Sequence, residues 1–104
     1  GVHQGRRIIR ESWIGDILRN GDFGPWRKGD LVELFPQGRY RSKWYLADPH
    51  SRVLCAVGIH GQWIYVDNET GMVGVKQSSQ PIPADDAMDH LTLALFGAVS
   101  SALR

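Results

Sequence analysis

The segment that most restricts the fold of this chain is Val53-Leu54-Cys55-Ala56-Val57-Gly58-Ile59, which is apolar at odd and even positions alike. A strand with one wet face alternates apolar and polar residues, so an unbroken run suits a central strand covered on both sides. Residues 40–46, 53–60, 62–67 and 72–78 are rich in aromatic and β-branched side chains and read as four strands. The links between them (47–51, a bare Gly61 and 68–71) are short, and short links join antiparallel neighbours in a meander.

The flanks of this meander have a different period. Trp13, Ile14, Ile17 and Leu18 recur at helical spacing before the Asn20-Gly21 stop, which predicts a helix over 10–19. Residues 21–38 are broken by glycine and proline yet carry Phe23, Trp26, Leu34 and Phe35, so they read as a loop with large anchors rather than a solvated linker. After the turn at 78–83, the residues Ala84, Ala87, Met88, Leu91, Leu95, Ala98 and Ala102 trace one helical face, with Pro83, Asp85 and Asp86 suited to its first turn. The expected fold is α+β: a four-stranded antiparallel meander with an N-terminal and a C-terminal helix, and residues 1–104 forming a single segment.

Composition narrows the function classes. With 42% hydrophobic and 22% charged residues the chain is expected to bury a core rather than stay disordered. The net charge of +1 comes from scattered basic residues, too few on any one stretch for a nucleic-acid footprint, so no nucleic-acid partner is expected. No apolar run approaches the roughly twenty residues of a membrane span, so no membrane partner is expected either. Cys55 is the single cysteine, which excludes an internal disulfide and leaves the redox compartment open. Its place inside an apolar strand predicts an inert buried thiol. His3, His50, His60 and His90 are too dispersed for a metal pattern, and neither a metal nor another cofactor is expected.

A complete catalytic set is missing. No serine stands in a Gly-x-Ser-x-Gly elbow or a Ser-x-x-Lys frame. The informative stretch is residues 55–67, where Gly58 and Gly61 interrupt a strong strand pattern. Strand glycines mark hairpin corners and bulges, or places where another group approaches the backbone closely. Both readings stand on spacing alone. Trp44, Tyr45 and Trp63 are candidates to shape an apolar pocket, against the commoner use of strand aromatics as core.

The stretches Glu33-Leu34-Phe35-Pro36-Gln37-Gly38-Arg39-Tyr40-Arg41-Ser42-Lys43-Trp44-Tyr45, Gly58-Ile59-His60-Gly61-Gln62-Trp63-Ile64-Tyr65-Val66-Asp67 and Lys76-Gln77-Ser78-Ser79-Gln80-Pro81 resemble, in order and spacing, the C-terminal part of 6-aminohexanoate-dimer (nylon oligomer) hydrolases. These belong to the serine β-lactamase and penicillin-binding-protein superfamily. The resemblance implies a β-lactamase/transpeptidase-like fold in which an upstream Ser-x-x-Lys supplies the nucleophile and an upstream tyrosine motif assists proton transfer. It sets Ala56-Val57-Gly58 on the superfamily's Lys-Thr-Gly positions and Ile59 just after them, where a backbone N–H serves the oxyanion hole. Beside that donor, Gly58, His60, Gly61 and Gln62 are the candidate substrate-contacting residues, with a hydrogen-bonded structural role as the equal alternative for His60 and Gln62 as the weaker candidate. Ala56 replaces the lysine, and neither Val57 nor Gly58 restores its charge, which argues against a β-lactam and for an amide or ester substrate. The partners implied are a small-molecule amide or ester and the remainder of a longer parent chain. A dimer through exposed apolar surface is a further expectation for the segment by itself. The rival reading is a free-standing, non-catalytic binding module.

Overall fold

The apolar run becomes the middle of a sheet. In the computed structural model, which covers residues 1–104, it forms the central strand β5 (Val53–Gly58). Before it come a small hairpin β1 (Val2–His3) and β2 (Arg6–Arg7), the helix α1 (Glu11–Arg19), a single helical turn α2 (Phe23–Trp26), and strands β3 (Arg39–Arg41) and β4 (Trp44–Leu46). After it come β6 (Gln62–Asp67), β7 (Met72–Lys76) and the helix α3 (Asp86–Ala102). Strands β3 to β7 lie side by side in chain order, every pair antiparallel.

The sheet has five strands where four were expected, because residues 40–46 are two strands and not one. Ser42 and Lys43 have φ of 53° and 74°, the two consecutive positive values of a tight primed hairpin turn. Asn-Gly is the usual sequence for that turn, and Ser-Lys does not announce it. The hairpin of β1 and β2, turned by Gln4 and Gly5 at φ of 48° and 75°, was likewise not anticipated. The strand expected over 53–60 stops at Gly58, and Ile59–Gly61 make a short 3₁₀ turn in which His60 has φ of 59°.

The register Cys55↔Tyr65 and Val57↔Trp63 puts alternate residues of β5 and β6 on one face. There Val53, Cys55, Trp63 and Tyr65 pack with Trp26, Leu34, Phe35 and Phe96 into the main core. The anchors of the 21–38 loop therefore close this face, with the Trp26 indole N–H donated to the Phe35 carbonyl at 2.9 Å. Cys55 is fully buried and its thiol is pushed up to about 12 by desolvation, which makes it unreactive near neutrality. On the opposite face Ile17 of α1 packs on Leu46 and Leu54, flanked by half-buried Trp44 and Val66. Arg41 ties the same helix to β3 through two bonds to Asp16, at 2.8 and 3.2 Å. Cover on this face ends there, and Ile64, Val73 and Val75 remain 40%, 64% and 63% exposed.

Helix α3 corrects the sequence expectation most sharply. Its buried residues are Thr92, Phe96 and Ser100, whereas Leu91 and Leu95, central to the expected inward face, are 62% and 61% exposed. The physical reason is that the sheet offers polar partners. Lys76 Nζ donates to Thr92 Oγ1 at 2.9 Å, Ser100 Oγ donates to the buried carboxylate of Asp67, and the Phe96 ring stacks on Tyr65 with centroids 5.2 Å apart. Phe96 also lies over Gly74, where a Cβ would come within 2.5 Å of the ring. Asp85, expected in the first turn of α3, is instead its N-cap and accepts the Met88 N–H at 3.1 Å, while Asp86 opens the helix as expected.

Candidate functional site

Strand β5 is paired unequally along its two edges. Its ladder with β6 runs from Val53↔Asp67 to Gly58↔Gln62, but its ladder with β4 ends at Tyr45↔Cys55. One edge of Ala56-Val57-Gly58 therefore has no strand partner. Such an edge presents backbone donors and acceptors to whatever lies beside it.

A cleft of about 460 Å³ lies there, lined by Tyr40, Lys43 and Tyr45 from the β3–β4 hairpin and by Ala56, Val57 and Gly58 from β5. Gln62, Trp63 and Ile64 add wall from β6, and Val75, Lys76 and Gln77 from the end of β7. The Tyr40 and Tyr45 rings pack at 5.0 Å between centroids, and burial pushes the Tyr45 phenol upward. The lining holds two lysines and no acidic side chain. Lys76 is bonded to Thr92, while Lys43 makes no ion pair.

Just past Gly58 the chain is fastened to the segment before α3. The His60 N–H donates to the Pro83 carbonyl at 2.9 Å. His60 Nδ1 lies 2.9 Å from the Gln80 carbonyl, an acceptor, so Nδ1 carries the proton and Nε2 is left as the free ring position. Gln62 Nε2 donates to the carbonyls of His60, at 3.1 Å, and of Ser78, while Gln62 Oε1 accepts the Ser78 N–H at 3.1 Å. Gly61 is the one position in this turn that demands glycine: its φ is 80°, and a Cβ would meet Gln80 Oε1 at 2.9 Å and Ser78 Oγ at 3.0 Å. These contacts fix the direction in which the chain leaves β5.

The residues singled out from sequence are thus split. Gly58 and Gln62 line the cleft. Ile59, His60 and Gly61 form the turn at its end, with the Ile59 side chain 69% exposed and so not held by the core. Of the three aromatic candidates, Tyr45 and Trp63 line the cleft, while Trp44 belongs to the opposite face beside α1. Nothing in the sequence marks Lys43 and Tyr40 as lining residues, because the hairpin that brings them to β5 carries no turn signature. Elsewhere, Asp30, Glu33, Asp86, Asp89 and His90 border a small hollow between the loop and α3, but no group of three or more His, Cys, Asp or Glu is placed to hold a metal ion. No helix is long and apolar enough to cross a membrane.

No family model matches the chain. It is 30% identical over 103 residues to a 6-aminohexanoate-dimer hydrolase of Paenarthrobacter ureafaciens, an alignment that takes in 99% of this chain and 26% of that protein. The chain thus spans about a quarter of the length of this relative. Along nearly all of its length it is homologous to part of a hydrolase, and the match is consistent with a C-terminal segment of that enzyme.

Proposed function

We propose that the chain is the C-terminal portion of a β-lactamase-like serine hydrolase that cleaves amide or ester bonds, and that it supplies the oxyanion-hole strand while the nucleophile lies upstream. The observation that carries this reading is the 30% identity over 99% of the chain to a hydrolase of which it spans only 26%. The geometry agrees with the role. β5 has an unpaired edge, the cleft runs along it to Gly58, and the Ile59 amide follows at the point where the turn begins. An apolar side chain at 59 is no obstacle, since an oxyanion hole needs only the backbone N–H aimed at the developing charge. In this mechanism an upstream serine attacks the carbonyl, an upstream lysine and tyrosine move protons, and the Ile59 N–H stabilises the tetrahedral oxyanion.

Unpartnered apolar surface supports the same reading. Val73 on the open sheet face, Leu91 and Leu95 on the outer side of α3 and Leu103 just past its end are all more than half exposed. In the parent protein these surfaces would be covered by the remainder of the chain. The segment alone is expected to show no saturable turnover of p-nitrophenyl esters, and the full-length protein is expected to show it. Saturation kinetics from the 104-residue chain itself would overturn the assignment of the nucleophile to upstream sequence.

A further inference from the structure

The Ile59 N–H belongs to the peptide between Gly58 and Ile59, and the Gln62 side chain reaches the backbone on both sides of that peptide. Before it, Gln62 lies over Gly58: a Cβ on Gly58 would meet Gln62 Cβ at 3.2 Å and Cγ at 3.7 Å. After it, Gln62 Nε2 donates to the His60 carbonyl at 3.1 Å. The same amide is anchored on the segment after β7, where Nε2 also donates to the Ser78 carbonyl and Oε1 accepts the Ser78 N–H at 3.1 Å. Two carbonyls require the donor end and one N–H requires the acceptor end, so the amide has one orientation and both of its N–H bonds are engaged. The residue after the donor is also held in a costly conformation. His60 has φ of 59°, a left-handed value that persists only when surrounding contacts enforce it. Those contacts are its N–H on the Pro83 carbonyl, its Nδ1 on the Gln80 carbonyl, and its own carbonyl on Gln62.

We propose that Gln62 is a positioning residue, which aims the Ile59 N–H by bracing the β5–β6 corner against Ser78 and does not itself hold the substrate. This rests on the reading of Ile59 as the oxyanion donor and adds a residue that acts through it. Gln62 lines the cleft, yet its two donors face backbone carbonyls and one lone pair of Oε1 faces Ser78. The amide is thus built into the frame of the corner.

The test uses the full-length protein with p-nitrophenyl acetate and p-nitrophenyl hexanoate. Gln62→Met keeps a stem over Gly58 and removes the amide. It is expected to lower kcat about tenfold, equally for both esters, with KM changed by less than about twofold. Gln62→Glu keeps an acceptor for the Ser78 N–H, loses both donors, and is expected to fall at least as far. In an Ile59→Pro background no N–H remains to be aimed, so adding Gln62→Met is expected to cost less than about twofold more. An unchanged kcat in Gln62→Met, a full multiplicative loss in the double variant, or a rise in KM that differs between the esters overturns the proposal. The amide is also read without turnover, by NMR of full-length protein with isotopically labelled isoleucine nitrogen. Gln62→Met is expected to broaden or split the Ile59 signal and to leave that of Ile17, in the core under α1, in place. An unaltered Ile59 signal overturns the proposal, and so does an equal disturbance of Ile17, which would make Gln62 a residue of general stability. If the wild type turns over neither ester, the hydrolase reading fails, and the isoleucine spectrum alone decides whether Gln62 sets the Ile59 amide.

Discussion

Ile59→Pro in the full-length protein is expected to lower kcat by about 10²- to 10³-fold, the loss that follows removal of one oxyanion donor. The substitution is unusually clean here. Proline removes the N–H and demands an extended residue before it, and Gly58 already has φ of −112° and ψ of 161°. The Ile59 side chain is 69% exposed, so little packing is lost. Ile59→Ala keeps the N–H and is expected to fall at least about tenfold less than Ile59→Pro. Equal losses in the two variants, read from kcat at saturating ester, would assign the effect to the side chain and not to the amide.

The second large effect is on stability. Asp67→Ala is expected to cost about 3 kcal/mol, because it strips the acceptor from several donors at once. The Asp67 side chain is fully buried and accepts from Ser100 Oγ, from the Glu69 N–H at 2.8 Å and from Arg104 at 3.3 Å. It is the clasp between the end of β6 and the last turns of α3. For a small domain this loss corresponds to a fall in Tm of about 15 °C, measurable by circular dichroism. The same carboxylate sets a pH dependence. The Ser100 hydroxyl is the main cause that holds it far below its ordinary value of 3.8, with help from the Glu69 N–H. A depressed folded-state value means that the stabilisation is complete above the unfolded value and drains away as pH falls below about 3.8. Asp67→Asn is expected to flatten that acid limb, seen as a smaller difference in urea midpoint between pH 5 and pH 2.5 than in the wild type.

The parts of the fold that sequence exposes are those governed by local apolar pattern. β5 and β6 are readable because Val53 to Val57 is apolar throughout and Trp63 to Val66 is an unbroken aromatic and β-branched run between Gly61 and Asn68. Helix α1 is readable because Ile17 and Leu18 recur before an Asn-Gly stop, and its start lies within one residue of expectation. What escapes is what depends on tertiary partners. The inward face of α3 contains Thr92 and Ser100, which look like surface residues until Lys76 and Asp67 are opposite them. Meanwhile Leu91 and Leu95 look like core and are exposed.

The site divides in the same way. Gly58 and Gly61 stand out in sequence as breaks in a strand, and Gly61 proves to be required by its positive φ and by Gln80 and Ser78 pressed against it. Lys43 is invisible because the Ser42-Lys43 turn lacks the Asn or Gly that marks two positive φ values, so residues 40–46 read as one strand that never doubles back to the cleft. Gln62 reads from the sequence only as a candidate substrate contact, and its two hydrogen bonds to Ser78 emerge only once the end of β7 lies beside β6.

In the proposed function, this chain forms a wall of a hydrolase site without its nucleophile. Treatment with a fluorophosphonate followed by peptide mass mapping tests it most directly. A single adduct is expected on the full-length protein at a serine upstream of these 104 residues, and none on the 104-residue chain alone. An adduct on Ser42, Ser78 or any other serine of this segment would contradict it.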